Sequence, residues 1–271
     1  MADFIHLTNK TEYSLSEGAL PIARIAELCQ SFSMPAVGIS DNNNMFGALE
    51  FSEQIAKIGV QPILGCNLKI KTPKEYLHEN IEDNDLYLYL NVFSKSSEGY
   101  ENLLKCVSNA YTINKGNAYV SVDDLIKFKE GLIILSGGNN SILTHSTGHM
   151  ITKQSKQFVS DFKSEFNDNF YIEIQRLGSD DYRLNEEAVL NLAYDHQIPL
   201  VATNDAYFEG PEHFEAHDAL MCIEKKLFVS QDNRKRLSKE HYFKSQNEML
   251  ELFYDLPEAL NNRILKEKDL N

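Results

Sequence analysis

One alternation constrains this sequence most: short apolar runs rich in β-branched and aromatic residues recur between longer stretches of helical spacing. The runs are Phe4 to Leu7, Ala36 to Ser40, Gln61 to Ile70, Leu86 to Phe93, Leu132 to Leu135, Phe170 to Gln175 and Leu200 to Thr203. Most are apolar throughout, as in strands covered on both faces. Between them, Ile22, Ile25, Ala26 and Cys29 mark the buried stripe of a helix over Ile22 to Phe32. Met45 to Ile58, Ser97 to Asn109, Val122 to Lys129, Lys153 to Asn167, Asn185 to His196 and His213 to Glu224 read as further helices, followed by Gln246 to Tyr254 and Leu256 to Lys268. The pattern predicts βα units and a parallel sheet, with a strand count close to that of a closed barrel. At 271 residues the chain can bury a large core as one domain, or one with a small appendage. Glu79 to Asp85 and Gly137 to Asn140 read as loops, and the closing KEKDLN carries no stop signal, which predicts a piece of a longer protein.

Composition removes several classes of function. The four cysteines are far apart and form no C-x-x-C pair, so neither a disulfide framework nor a cysteine zinc site is indicated, and a cytoplasmic setting is expected. No basic region precedes an apolar leader, and no segment approaches the roughly 18 uninterrupted apolar residues of a membrane helix. A net charge of -14 repels phosphates, so any link to DNA is expected to run through other domains or partners.

In a (β/α) barrel the chemistry stands at the C-terminal ends of the strands. Those positions hold Thr8, Lys10, Glu12 and Glu17; Asp41, Asn42, Asn43 and Asn44; Cys66 and Asn67; Tyr89 and Asn91; Ser136 and Gly138; Glu173 and Gln175; and Thr203, Asn204 and Asp205. This rim is polar but rich in amides, where a zinc, manganese or iron centre needs imidazoles, thiolates or carboxylates. His213 and His217 are four apart in HFEAH, without the H-E-x-x-H arrangement, and read as surface or capping residues. Asp41, ahead of N-N-N and a helix, reads as cap or turn chemistry, Cys66 as a small core side chain, and Asn204-Asp205 as either site or turn.

The blocks FIHLTNKTEYSLSEGAL, VGISDNNNMFGALEF, QPILGCNL, SEGYENLLKCVS, GLIILSGG, FYIEIQRLG, PLVATNDAYF, EAHDALMCI and LPEALNN follow one another over nearly the whole chain. In this order they resemble the N-terminal PHP (polymerase and histidinol phosphatase) domain of bacterial DNA polymerase III α subunits. The resemblance implies a distorted (β/α)7 barrel over residues 1–271, with 210–271 a helical extension leading toward a polymerase domain. Active PHP domains hold up to three metal ions. Carried over residue by residue, their ligand positions are here Thr8, Lys10, Glu17, Asn42, Asn67, Tyr89, Gly138, Leu177, Asp205 and Tyr207. Only Glu17 and Asp205 keep a carboxylate there, with Asp41 beside Asn42. The resemblance therefore implies no catalytic residue and no metal in this segment.

Carboxylates stripped of their cations repel one another unless another charge compensates. Lys10 is expected to fill the vacated centre, pairing with Asp205, Glu17 or Asp41, with Asn42, Asn67 and Tyr207 donating hydrogen bonds; the plainer alternative is a Lys10 that points into solvent. The implied role is a non-catalytic structural and interaction module of a DNA-directed DNA polymerase in replication. Its implied partners are the polymerase domain of the same chain, which would use Mg, and in some members the separate proofreading exonuclease. The competing expectation is a working metal-dependent phosphoesterase or 3′ to 5′ exonuclease.

Overall fold

The computed structural model describes residues 4–77, 87–113, 117–138, 141–143, 151–178, 180–231, 234 and 236–260. The loop predicted at Glu79 to Asp85, residues Asn139 and Asn140, and the last predicted helix beyond residue 260 lie outside the described residues. Strands β1 (Ala36–Asn42), β2 (Gln61–Lys71), β3 (Tyr87–Ser94), β4 (Leu132–Leu135), β5 (Phe170–Gln175) and β6 (Leu200–Thr203) form one curled sheet in sequence order. Helices α1 (Ile22–Ser31), α2 (Ala48–Lys57), α3 (Ser97–Ile113), α4 (Val122–Lys127), α5 (Lys153–Phe166), α6 (Asp180–Asp195) and α7 (Phe214–Lys225) lie before, between and after the strands, followed by α8 (Gln246–Leu252) and α9 (Pro257–Leu260). Hydroxyl caps start several of them: Ser121 accepts from Asp124 N, Thr152 from Ser155 N, and Ser245 with Glu248 completes a capping box.

The expected distorted α/β barrel forms, with two departures from the sequence reading. The run Phe4 to Leu7 is not a regular strand. Residues 6–10 nevertheless join the two edges: Gly38 N and Ser40 N donate to His6 O and Asn9 O, while Ala206 N donates to Thr8 O and Lys10 N to Ala206 O. The acceptors facing β1 are three residues apart where their donors are two apart, so an extra residue bulges the segment out of strand geometry. The second departure is that β3 runs antiparallel to both β2 and β4. Between β2 and β3 only a 3-10 turn, Lys74–Tyr76, is described, and strands joined without a helical crossover pair antiparallel.

The inside of the barrel is graded. Leu7, Ala36, Ile63, Phe93, Ile133, Leu135, Tyr171 and Val201 form one buried apolar cluster. Because side chains alternate across a strand, positions two or four residues away lie on the same face, and these are Ser40, Asn67, Asn91, Glu173, Gln175 and Thr203. One end of the barrel is therefore plugged with hydrocarbon and the other lined with polar groups. The residues after 210 pack back on this body: Phe243 joins the core around α1 and α2, and Met249, Phe253 and Leu256 join the largest core cluster.

Candidate functional site

Lys10 is enclosed at 1% exposure, its Nζ donating to Ser40 O at 2.5 Å and Ser40 Oγ at 2.9 Å and lying 3.6 Å from Asp205 Oδ1. The solvent-pointing alternative is therefore overturned; enclosure follows from the backbone, since Lys10 N is bonded to Ala206 O and the stem is directed across the barrel mouth. Asp205 has a positive φ of 49°, a conformation that aspartate tolerates better than most side chains, and its N–H donates to Thr8 Oγ1 at 3.0 Å.

The three carboxylates considered as partners of Lys10 separate. Asp41 accepts from Thr11 N and Thr11 Oγ1, both at 2.7 Å, and from Ser14 Oγ at 2.6 Å. It fixes the turn after residue 10 and does not cap a helix: α2 begins at Ala48 with Gly47 at its N-cap, which corrects the cap reading. Burial raises the Asp41 carboxyl, against the lowering effect of its Ser14 and Thr11 donors. Glu17 is bonded by Asn42 Nδ2 instead of Lys10. Tyr207 is buried and hydrogen-bonded with Asn42, and burial followed by the nearby Asp205 pushes its hydroxyl well up. Tyr89 is half-buried, its hydroxyl raised by burial and by Glu17.

A second chain of contacts runs deeper, through strand-end residues that the sequence reading named but, Asn67 apart, gave no role. Asn67 Nδ2 donates to Asn91 Oδ1 at 2.8 Å, and Asn91 Nδ2 donates to the Glu173 carboxylate at 3.0 and 3.2 Å. Gln175 Nε2 at 3.1 Å and Thr203 Oγ1 at 2.6 Å complete that carboxylate, while Glu173 N donates to Ser136 Oγ. Burial raises the Glu173 carboxyl, opposed by its Thr203 and Asn91 donors. The available signal was a glutamate inside the otherwise buried run FYIEIQ. Ser40, which takes both Lys10 bonds, carried no signal beyond its place at a strand end.

The remaining positions are filled in other ways. Gly138 has φ 52°, and a Cβ there would lie 2.4 Å from Gln175 Cδ, so the Gln175 amide occupies the space a side chain at 138 would need. Leu177 is buried hydrocarbon. Cys66 lies in the core with Sγ 3.4 Å from Asp41 O. His6, the histidine nearest the rim in sequence, packs against Phe4 and Phe243, and its Nε2 meets Lys244 O at 2.7 Å; burial lowers it to about 4. His217 is buried with Nε2 at 2.6 Å from Glu17 O, which corrects its reading as a surface residue, while His213 is exposed.

A multi-metal centre does not fit these donors. Among the described residues no three or more His, Cys, Asp or Glu side chains converge as ion ligands. The carboxylates of Asp41 and Glu173 are engaged by hydroxyl and amide donors, and the cation at the mouth is an ammonium.

Comparison with known proteins matches residues 6–177 to the PHP domain model. The chain belongs to the PHP domain family. Beyond that match, this PHP domain is 38% identical over 263 residues to DNA polymerase III subunit alpha of Caulobacter vibrioides, covering 96% of this chain and 23% of that protein. It is 35% identical to the same subunit of Rickettsia felis, covering 98% and 22%, and 33% identical to that of Borreliella burgdorferi, covering 96% and 23%. The chain thus spans less than a quarter of the length of these curated relatives. No described helix is long and apolar enough to cross a membrane.

Proposed function

We propose that this PHP domain is the N-terminal module of a replicative DNA polymerase α subunit and acts there as a non-catalytic scaffold. The observation that carries the reading is Lys10, whose enclosed ammonium stands at a former ligand position and meets Ser40 and Asp205. A fixed cation there satisfies the site without coordination chemistry, and the amides of Asn42, Asn67, Asn91 and Gln175 donate to groups that a metal would otherwise polarise. Polymerisation belongs to a polymerase domain of the same chain, with Mg as its cofactor and DNA reached through the whole protein; the proofreading exonuclease and other replicase subunits are candidate partners, in the cytoplasm.

The test is made on the purified full-length polypeptide. Primer extension with Mg, less than about one equivalent of tightly bound transition metal, and no hydrolysis of a model phosphodiester with the polymerase centre disabled are the results expected. Stoichiometric zinc, manganese or iron together with such hydrolysis would establish the phosphoesterase or exonuclease reading instead.

A further inference from the structure

Helix α7 has its polarity reversed. Its buried side carries Phe214, His217, Asp218 and Cys222. Two of these are polar and each is bound: His217 Nε2 meets Glu17 O, and Asp218 is held by Arg234, with Nη2 to Oδ2 at 2.6 Å. The opposite side carries Ala216, Ala219, Leu220 and Ile223, at i, i+3, i+4 and i+7; Ala216 and Ile223 are exposed, Ala219 and Leu220 are half-buried, and the helix ends at Lys225 with Lys226 left-handed. At 3.6 residues per turn these four fall in a single stripe on the side away from the buried residues. Ile223 is 74% exposed, and Phe228 and Val229 beyond the helix end are 75% and 54% exposed.

A surface helix in a domain that needs no partner turns its apolar stripe inward. Here hydrogen bonds hold the polar face inside, so rotation about the helix axis cannot bury the hydrocarbon without breaking the Glu17 and Arg234 contacts. Exposed apolar residues scattered singly are ordinary, but a contiguous stripe marks a contact surface. Ala216 and Ala219 at one end let another helix approach closely, while Leu220, Ile223 and Phe228 supply the larger side chains.

We infer that this stripe, from Ala216 to Phe228, is covered by an apolar face from a part of the same polypeptide outside residues 1–271. The inference rests on the reading of this domain as one module of a longer polymerase chain. Its argument for the occupant is length: relatives matched over 96–98% of this chain are more than four times as long, at 22–23% coverage. An intrachain neighbour is present at fixed stoichiometry and high effective concentration, so an apolar stripe that it covers is never left open in solution.

The experiment is thiol labelling of the full-length polypeptide with a maleimide. The four described cysteines are free and buried, so this domain adds little background, and labelling is read at the substituted residue itself by peptide mass. Ile223→Cys is compared with Leu49→Cys, which replaces an exposed leucine on α2, 69% exposed. The expected result is labelling of Ile223→Cys at least about tenfold slower than Leu49→Cys, unchanged on dilution, with equal rates after denaturation. Equal native rates would overturn the inference. Protection that vanishes on dilution would assign the stripe to a second copy, and protection that needs an added subunit would assign it to a separate protein; either also overturns it. Primer extension by the same preparation judges the module reading separately. A chain that extends primers yet labels freely at residue 223 loses only the docking surface, whereas a chain that does not extend primers loses the module reading, and its labelling still decides the stripe.

Discussion

Lys10 is the side chain whose surroundings allow least substitution. With 1% exposure, its charge must be met by Ser40 and Asp205, and Asp205 Oδ1 has no hydrogen-bond donor besides that 3.6 Å ion pair. Lys10→Ala would leave the Asp205 carboxylate buried and uncompensated, an effect of about 3–5 kcal/mol. Urea unfolding should show the loss, and Lys10→Met combined with Asp205→Asn should recover part of it; an unchanged midpoint for Lys10→Ala would refute the pairing. Gly138 allows a second test. A cysteine there must adopt φ 52° and press its Cβ within 2.4 Å of Gln175, so Gly138→Cys should lower stability by about 1–3 kcal/mol in thermal melts. The importance of position 10 was legible through the family resemblance, and Asp205 was among its expected partners, but Ser40 was not. Ser40 and Asp205 are brought to it by barrel closure, which no local pattern encodes. Glu173 was visible as a charged residue in an apolar strand, yet two of its three donors, Asn91 and Thr203, come from other strands, with Gln175 from its own.

At the level of elements, the strands were readable because each is a short, continuous apolar run, and all six observed strands lie within about two residues of their predicted bounds. Direction was harder. The stretch between β2 and β3 lacks helical spacing, which is the mark of an antiparallel return, but the alternation elsewhere favours a parallel reading. The first run failed as a strand because of its bulge, and Gly38 shows how close that segment lies: a Cβ at 38 would stand 2.6 Å from Leu7 O. His6 from this segment also touches the C-terminal strip 241–244, where His241 is buried. Burial lowers both histidines from 6.5 to about 4. Between those values the unfolded chain binds protons that the fold does not, so their contribution to stability is full above about pH 6.5 and is lost as pH falls toward 4. The effect is at most about 3 kcal/mol per histidine. The raised carboxyls of Asp41 and Glu173 act in the opposite sense. The double variant His6→Gln, His241→Gln should therefore flatten the acid limb of the melting-temperature profile between pH 6.5 and 4. A limb as steep as in the unsubstituted protein would show that the histidines do not set it.

Across the whole molecule, the question is what joins the C-terminal helices to the barrel, since any force passing between this body and a neighbour on that side crosses the same contacts. Arg176, directly after β5, is the principal polar tie. Its Nε and Nη2 bind Glu186 at 3.0 and 2.5 Å, Nη1 binds Leu252 O at 2.7 Å, and Nη1 and Nη2 reach Asp255 at 2.6 and 2.9 Å. The guanidinium also lies 4.8 Å from the Phe253 ring centre. One planar group thus joins α6, the end of α8 and the turn before α9 through bonds in fixed directions. Lysine has the charge but neither the fork nor the flat face. Arg176→Lys should therefore loosen residues 246–260 while the sheet stays intact. Phe253, Met249 and Leu256 keep the segment attached through apolar packing, so the expected loss is partial, about 1–3 kcal/mol. Hydrogen exchange is the suitable readout because it resolves regions. Amides in α8 and α9 should exchange at least about fivefold faster in the variant, whereas those of β1 and β2 should keep their rates. Faster exchange spread evenly over all strands would instead mean that Arg176 supports the barrel itself, and that the helices do not open as a separate unit.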